Sequence, residues 1–123
     1  MEKVTGIGGI FLKTKNPKEL AAWYQQHLGI DFNGNTYFAF EWGNDNNSSE
    51  QTVFSFFKED TQYFNPSQSS FMVNFRVKNL ESLLKTLREE NVEIVGEMPD
   101  EGFGKFAWIM DPDGNKIELW EPR

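Results

Sequence analysis

The chain has 123 residues, 38% of them hydrophobic and 15% aromatic, with twelve phenylalanines and no cysteine. That suffices for one packed domain and leaves neither disulfides nor thiolate chemistry available. Nineteen acidic against twelve basic residues give a net charge of −7, which repels phosphate backbones and argues against nucleic-acid binding. No stretch approaches the roughly 20 apolar residues of a membrane span, and Met1-Glu2-Lys3-Val4 does not open a secretion signal. A cytoplasmic protein without membrane contact is therefore expected, and Asn47-Ser48-Ser49 reads as a polar loop rather than a glycosylation acceptor.

Gly6 to Lys13 predicts a first strand. Asn16-Pro17-Lys18-Glu19 follows as a helix start, with Asn16 as cap, Pro17 at the first helical position and Glu19 completing a capping box. Leu20, Trp23, Tyr24, His27 and Leu28 recur at the spacing of a helix laid on a sheet. Gly29 supplies its left-handed stop, so the helix spans about 17–28. Strands are expected at Thr36 to Trp42 and Thr52 to Phe57, separated by the polar loop Gly43 to Gln51. His27, the sole histidine, reads as packed near the negative end of the helix dipole rather than as a ligand or base.

The plan then repeats after a linker of about 58–70. Phe71 to Val77 is a strand, Asn79 a second cap, and Leu80, Leu83, Leu84 and Leu87 the stripe of a helix over about 80–90. Strands are expected at Val92 to Val95, Phe106 to Met110 and Lys116 to Trp120, the last two joined by the turn signal Asp111-Pro112-Asp113-Gly114-Asn115. A slide of 63 residues pairs Lys15 with Lys78, Asn16 with Asn79 and Leu20 with Leu83. The matching order of elements points to an internal duplication, one half at about 4–58 and the other at about 71–121.

The run Phe11-Leu12-Lys13-Thr14-Lys15-Asn16-Pro17 with Trp23-Tyr24 and Leu28-Gly29 resembles the opening of vicinal-oxygen-chelate proteins, the glyoxalase/bleomycin-resistance/dioxygenase group. Phe75-Arg76-Val77-Lys78-Asn79-Leu80 resembles the start of that family's second module, and Asp111 to Leu119 resembles its closing turn and strand. The resemblance covers nearly the whole chain. It implies an α+β fold, two βαβββ modules whose curved mixed sheets enclose a cavity, and commonly a homodimer. It fixes no single chemistry, because the family includes metal-dependent lyases, isomerases and dioxygenases beside metal-free sequestering proteins.

Metal-using members place ligands early in each module's first strand and in each module's last strand. Here those points fall at Gly9, Met72, near Phe54, and at Glu118. Only Glu118 offers a hard donor, and one carboxylate does not hold a transition metal, so no metal or other cofactor is expected. Strand alternation places Phe11 and Lys13 on the face of Gly9, and Asn74 and Arg76 on that of Met72. It likewise puts Lys116 and Trp120 beside Glu118, with Phe54 and Phe56 on the opposite wall and Trp108 as core or lining. Tyr63, Phe64 and Pro66 are positioned either to cover the cavity or to clamp the halves, and Gly102 and Gly104 mark a flap.

The expected function is binding of a small molecule, aromatic or cationic, in a cavity whose metal site is largely lost. A metal-dependent lyase, isomerase or dioxygenase is the alternative, and a metal-independent enzyme with Glu118 as general base a second. Glu118 is either held for the ligand or neutralised by Arg76 or Lys13.

Overall fold

A computed structural model describes residues 2–42 and 51–123, so the Gly43 to Gln51 loop (but for Gln51) and the Asn47-Ser48-Ser49 motif lie outside the described residues. The elements run β1 (Val4–Thr14), α1 (Pro17–Leu28), β2 (Tyr37–Glu41), β3 (Gln51–Lys58), β4 (Phe71–Val77), α2 (Leu80–Glu89), β5 (Ile94–Met98), β6 (Lys105–Met110) and β7 (Lys116–Glu121). Both helices start as their caps predict. Asn16 Oδ1 accepts from the Glu19 amide at 3.2 Å and Asn79 Oδ1 from the Ser82 amide at 3.0 Å, each satisfying a donor that the first turn leaves unpaired. Gly29 ends α1 in the left-handed conformation, φ 72°.

Seven strands form one curved, open sheet in the order β2-β3-β1-β4-β7-β6-β5, an α+β fold of the expected class. β1 and β4 pair antiparallel at its centre; β3 runs parallel to β1 and β7 parallel to β4. β2 and β6 then add antiparallel outside them. Some details differ from expectation. The second half has four strands, whereas the described residues of the first half form three. Between α1 and β2 the chain turns through Asn33 (φ 50°) and Gly34 (φ 78°) and places Phe32, 2% exposed, under α1. β5 starts at Ile94 rather than Val92, because the Val92 amide closes the end of α2 on the Leu87 carbonyl at 2.9 Å.

Both helices cover the convex face. α2 packs Leu80, Leu83 and Leu84 on Val77, Ala107 and Leu119. α1 packs Ala21, with Leu20 and Tyr24, on Phe32, Phe54 and Phe56. The stripe read from the sequence is partly rotated: Trp23 and Leu28 are half exposed or more, and His27 is exposed and rests against Trp23 at 4.9 Å between ring centres. Among the described residues the concave face is lined by the sheet, by the connection between β3 and β4 and by Phe103 of the connection between β5 and β6, and the site lies there.

Candidate functional site

Glu118 stands at the centre of the concave face and is 2% exposed. The parallel pairing of β7 with β4 places it beside Asn74, and the antiparallel pairing with β6 sets it opposite Trp108. The connection from β3 to β4 crosses the face and brings in Tyr63. Its hydroxyl donates to Glu118 Oε1, which also accepts from Trp108 Nε1 at 2.9 Å; Asn74 Nδ2 donates to Oε2 at 2.5 Å. Both oxygens are thus bonded to neutral donors, one way to keep a buried carboxylate from being left unsatisfied. The ion pairs among the described residues, Arg88–Glu97, Lys105–Glu81 and Arg123–Asp100, do not involve Glu118.

The cluster perturbs its neighbours. Burial first, then the negative charge and hydrogen bond of Glu118, hold the Tyr63 phenol well above its usual 10.0, while a contact with Trp108 works the other way. Lys116 donates to the Tyr63 carbonyl at 2.8 Å and lies 5.4 and 5.5 Å from the ring centres of Tyr63 and Trp108. Its ammonium is pushed down by burial, with the charge of Glu118 opposing that shift.

Tyr63 and Phe64 fill one end of the concavity with the protein's own side chains. Phe64 is 0% exposed and packs with Phe11 and Met72. Tyr63 lies parallel to Phe57, 5.5 Å between ring centres. At the other end a cavity of about 490 Å³ remains open. Val53, Ser55 and Tyr37 form one wall and Phe106 and Trp120 the other, with Gly8, Asn74 and Glu118 at the floor. Phe106 stacks on Trp120, 6.0 Å apart and 5° from parallel. Asn74 Oδ1 is buried without a hydrogen-bond partner. It presses on Gly8, where an added Cβ would lie 2.3 Å from that oxygen and 2.8 Å from Arg76 Cγ; only glycine lets the three side chains Asn74, Arg76 and Trp120 close over this strand.

The structure brings Phe11, Asn74, Glu118 and Trp120 together at the cavity, and joins Trp108 to them through Glu118. Other expected residues lie elsewhere. Phe54 and Phe56 point to the convex face and form core with Phe32 and Tyr24, because the inward positions of β3 are Gln51, Val53, Ser55 and Phe57. Met72 faces inward but is sealed under Phe64 at 1% exposure. Lys13 holds its ammonium over the Phe64 ring at 5.2 Å, outside the open cavity. Among the described residues no ion pair joins Arg76 to Glu118; the Arg76 guanidinium lies over the Trp42 ring at 4.4 Å. The expected flap is tied down as well. Asp100 Oδ1 accepts from the amides of Gly102 and Gly104, Arg123 Nε donates to Asp100 Oδ2 at 3.0 Å, and Trp120 Nε1 donates to the Phe103 carbonyl at 2.7 Å. These bonds hold Asp100 as a deprotonated anchor, its carboxyl drawn below its usual range by the Gly102 amide and then by Arg123.

Ser55 was the residue to find. The register pairs Phe11 with Ser55 and Asn74 with Glu118, and the 63-residue slide that matches the two caps carries Ser55 onto Glu118. The four points that the family resemblance singled out for ligands thus become Gly9, Met72, Ser55 and Glu118, with Ser55 in place of Phe54. Among the described residues no three His, Cys, Asp or Glu side chains come together to hold a metal ion, and the one carboxylate already has both oxygens bonded to hydrogen donors. This donor set does not fit a divalent metal.

A sequence model of the Glyoxalase/Bleomycin resistance protein/Dioxygenase superfamily matches residues 6–119. No curated protein sequence matches significantly. Among solved structures, a Streptomyces coelicolor methylmalonyl-CoA epimerase in complex with 2-nitronate-propionyl-CoA is similar at TM-score 0.68 and 14% identity, over 98% of this chain and 99% of that one. The methylmalonyl-CoA epimerase of Mycobacterium tuberculosis is similar at TM-score 0.64 and 18% identity, over 98% and 89%. A superfamily member from Vibrio splendidus 12B01 is similar at 0.56 and 11%, over 98% and 99%. At these identities the likeness is one of fold.

Proposed function

The chain belongs to the Glyoxalase/Bleomycin resistance protein/Dioxygenase superfamily, and we propose that it binds a small organic molecule in the concave cavity without a metal at Glu118. The observation that carries this reading is the 490 Å³ aromatic-walled cavity whose floor carboxylate is already engaged by Tyr63, Asn74 and Trp108. Its volume lies in the range of roughly 300–1,000 Å³ typical of small-molecule sites, and an apolar lining with a few convergent polar groups is what such sites offer. Three donors on Glu118 leave it poorly placed to take up a substrate proton, which weighs against the general-base reading. Glu118 in this account fixes Tyr63, Asn74 and Trp108 and thereby the shape of the floor.

A thermal-shift screen of neutral and charged aromatic metabolites against wild type and Ser55→Trp tests the reading. Ser55 lines the cavity and an indole there would fill it. A compound that raises the wild-type Tm but not that of Ser55→Trp supports the cavity as the site. Equal shifts in both proteins, or none with any compound, count against it. Elemental analysis of protein purified without added metal should give far less than one equivalent of Zn, Ni, Fe or Mn per chain.

A further inference from the structure

We propose that the cavity selects an uncharged, flat aromatic molecule and that Phe103 is the residue that clamps it; this rests on the reading of the cavity as a binding site. Phe103 is 77% exposed, more than any other large apolar side chain of the described residues, yet it lines the cavity at its rim. An exposed ring on a loose loop would mean little. Here the backbone around it is fixed from four directions: two amides bonded to Asp100, Asp100 bonded to Arg123, and the Phe103 carbonyl bonded to the Trp120 indole. Gly104 adds a fifth constraint. It sits at φ 107°, and a Cβ there would lie 2.2 Å from the Glu121 carbonyl oxygen, so the loop is pressed directly on the end of β7.

The protein therefore holds a bare phenyl ring at the cavity mouth and forgoes the stabilisation that burying it would bring. Its anchor, Trp120, is itself part of the cavity wall. Tyr37, 54% exposed, faces the same space from the other half of the sheet. A flat ring entering the cavity would cover Phe103 and Tyr37 while lying against the Phe106–Trp120 pair, with the offset or edge contacts that aromatic groups favour.

The charge of the occupant follows from what the cavity lacks. Among the described lining residues the only acidic or basic side chain is Glu118, and its oxygens accept from three donors. A carboxylate would meet no basic side chain among the described lining residues, and an ammonium could bond the 2%-exposed Glu118 only by displacing a donor its oxygens already hold; burying a charge without a hydrogen-bonded partner is strongly unfavourable. This narrows the expected aromatic or cationic ligand to the neutral aromatic class.

Three probes share one ring and differ in charge: 2-naphthalenemethanol, 2-naphthylmethylammonium and 2-naphthoate. Calorimetric titration of the full chain should show the neutral probe binding at least about tenfold tighter than either ion. Phe103→Ala should weaken the neutral probe about tenfold, the size of one aromatic contact, with Tm unchanged because the ring is exposed; Phe103→Tyr should restore it. An ion that binds as tightly as the alcohol, or Phe103→Ala with wild-type affinity, overturns the inference. Should the preferred probe be an ion that Ser55→Trp still excludes, the cavity reading stands and only its selectivity falls. Should no probe bind at millimolar concentration, or should Ser55→Trp bind them all, both fall.

Discussion

Replacing Tyr63 by Phe removes one hydroxyl and keeps the ring between Phe57 and Trp108. Glu118 Oε1 then retains Trp108 as a donor but loses the phenol. A hydrogen bond to a charged group contributes about 1.5–3 kcal/mol. The lower end applies, because Tyr63 is 37% exposed and water can partly replace the lost donor. Unfolding entropy of roughly 2.1 cal/mol/K per residue, over 123 residues, is about 0.26 kcal/mol/K, so 1.5 kcal/mol corresponds to a fall in Tm of about 6 °C. Differential scanning calorimetry at pH 7 measures it. The pH dependence gives a second readout. The folded-state pKa of Tyr63 is raised above its usual 10.0, so its stabilising contribution is complete below pH 10. It is lost as pH rises further, where the unfolded phenol ionises and the folded one does not. The wild-type advantage over Tyr63→Phe should hold from pH 6 to 9 and shrink above pH 10. A Tm change under 2 °C at pH 7, or an advantage that grows above pH 10, would refute the assignment of Tyr63 as the donor that satisfies Glu118.

Gly8→Ala should lower Tm sharply, by several degrees in the same calorimetric measurement, because its Cβ meets Asn74 Oδ1 at 2.3 Å and Trp120 Cε3 at 3.0 Å; wild-type stability would mean these side chains do not close over β1. Phe56→Ala should cost about 3–5 kcal/mol as a core truncation under α1, read by urea denaturation, while residual folded protein binds the neutral probe with unchanged affinity. Altered affinity would return Phe56 to the cavity. Sedimentation equilibrium at micromolar concentration should show a homodimer, since the open sheet ends in the edge strands β2 and β5 and edge strands invite pairing; monomer alone would exclude it.

The fold was legible because its signals are local. Asn16 and Asn79 cap helices by their own side chains, and Asp111 to Asn115 forms its turn around one carboxylate, which accepts from the Asp113 and Asn115 amides at 2.9 Å each. Glu118, Asn74 and Trp120 were legible because β4 and β7 alternate cleanly. β3 was not. Its run Val53-Phe54-Ser55-Phe56-Phe57 is apolar toward both faces, since α1 covers one and Tyr63 with Phe64 the other, and hydrophobicity alone assigns no side. Two further features depend on contacts far apart in sequence. The plug joins residues 63 and 118, and the anchored rim joins Asp100 to Arg123 and Phe103 to Trp120. Of the two glycines that suggested mobility, Gly104 is pressed against the end of β7, and Gly102 holds a positive φ of 123° with open space around it.

The claim that an organic molecule binds here without metal is tested most directly by titrating 2-naphthalenemethanol into protein dialysed against chelator, and again after adding back Zn, Ni, Fe(II) or Mn. The account predicts one site per chain and the same Kd in every buffer. Binding that vanishes after chelation and returns with one of these ions would contradict it.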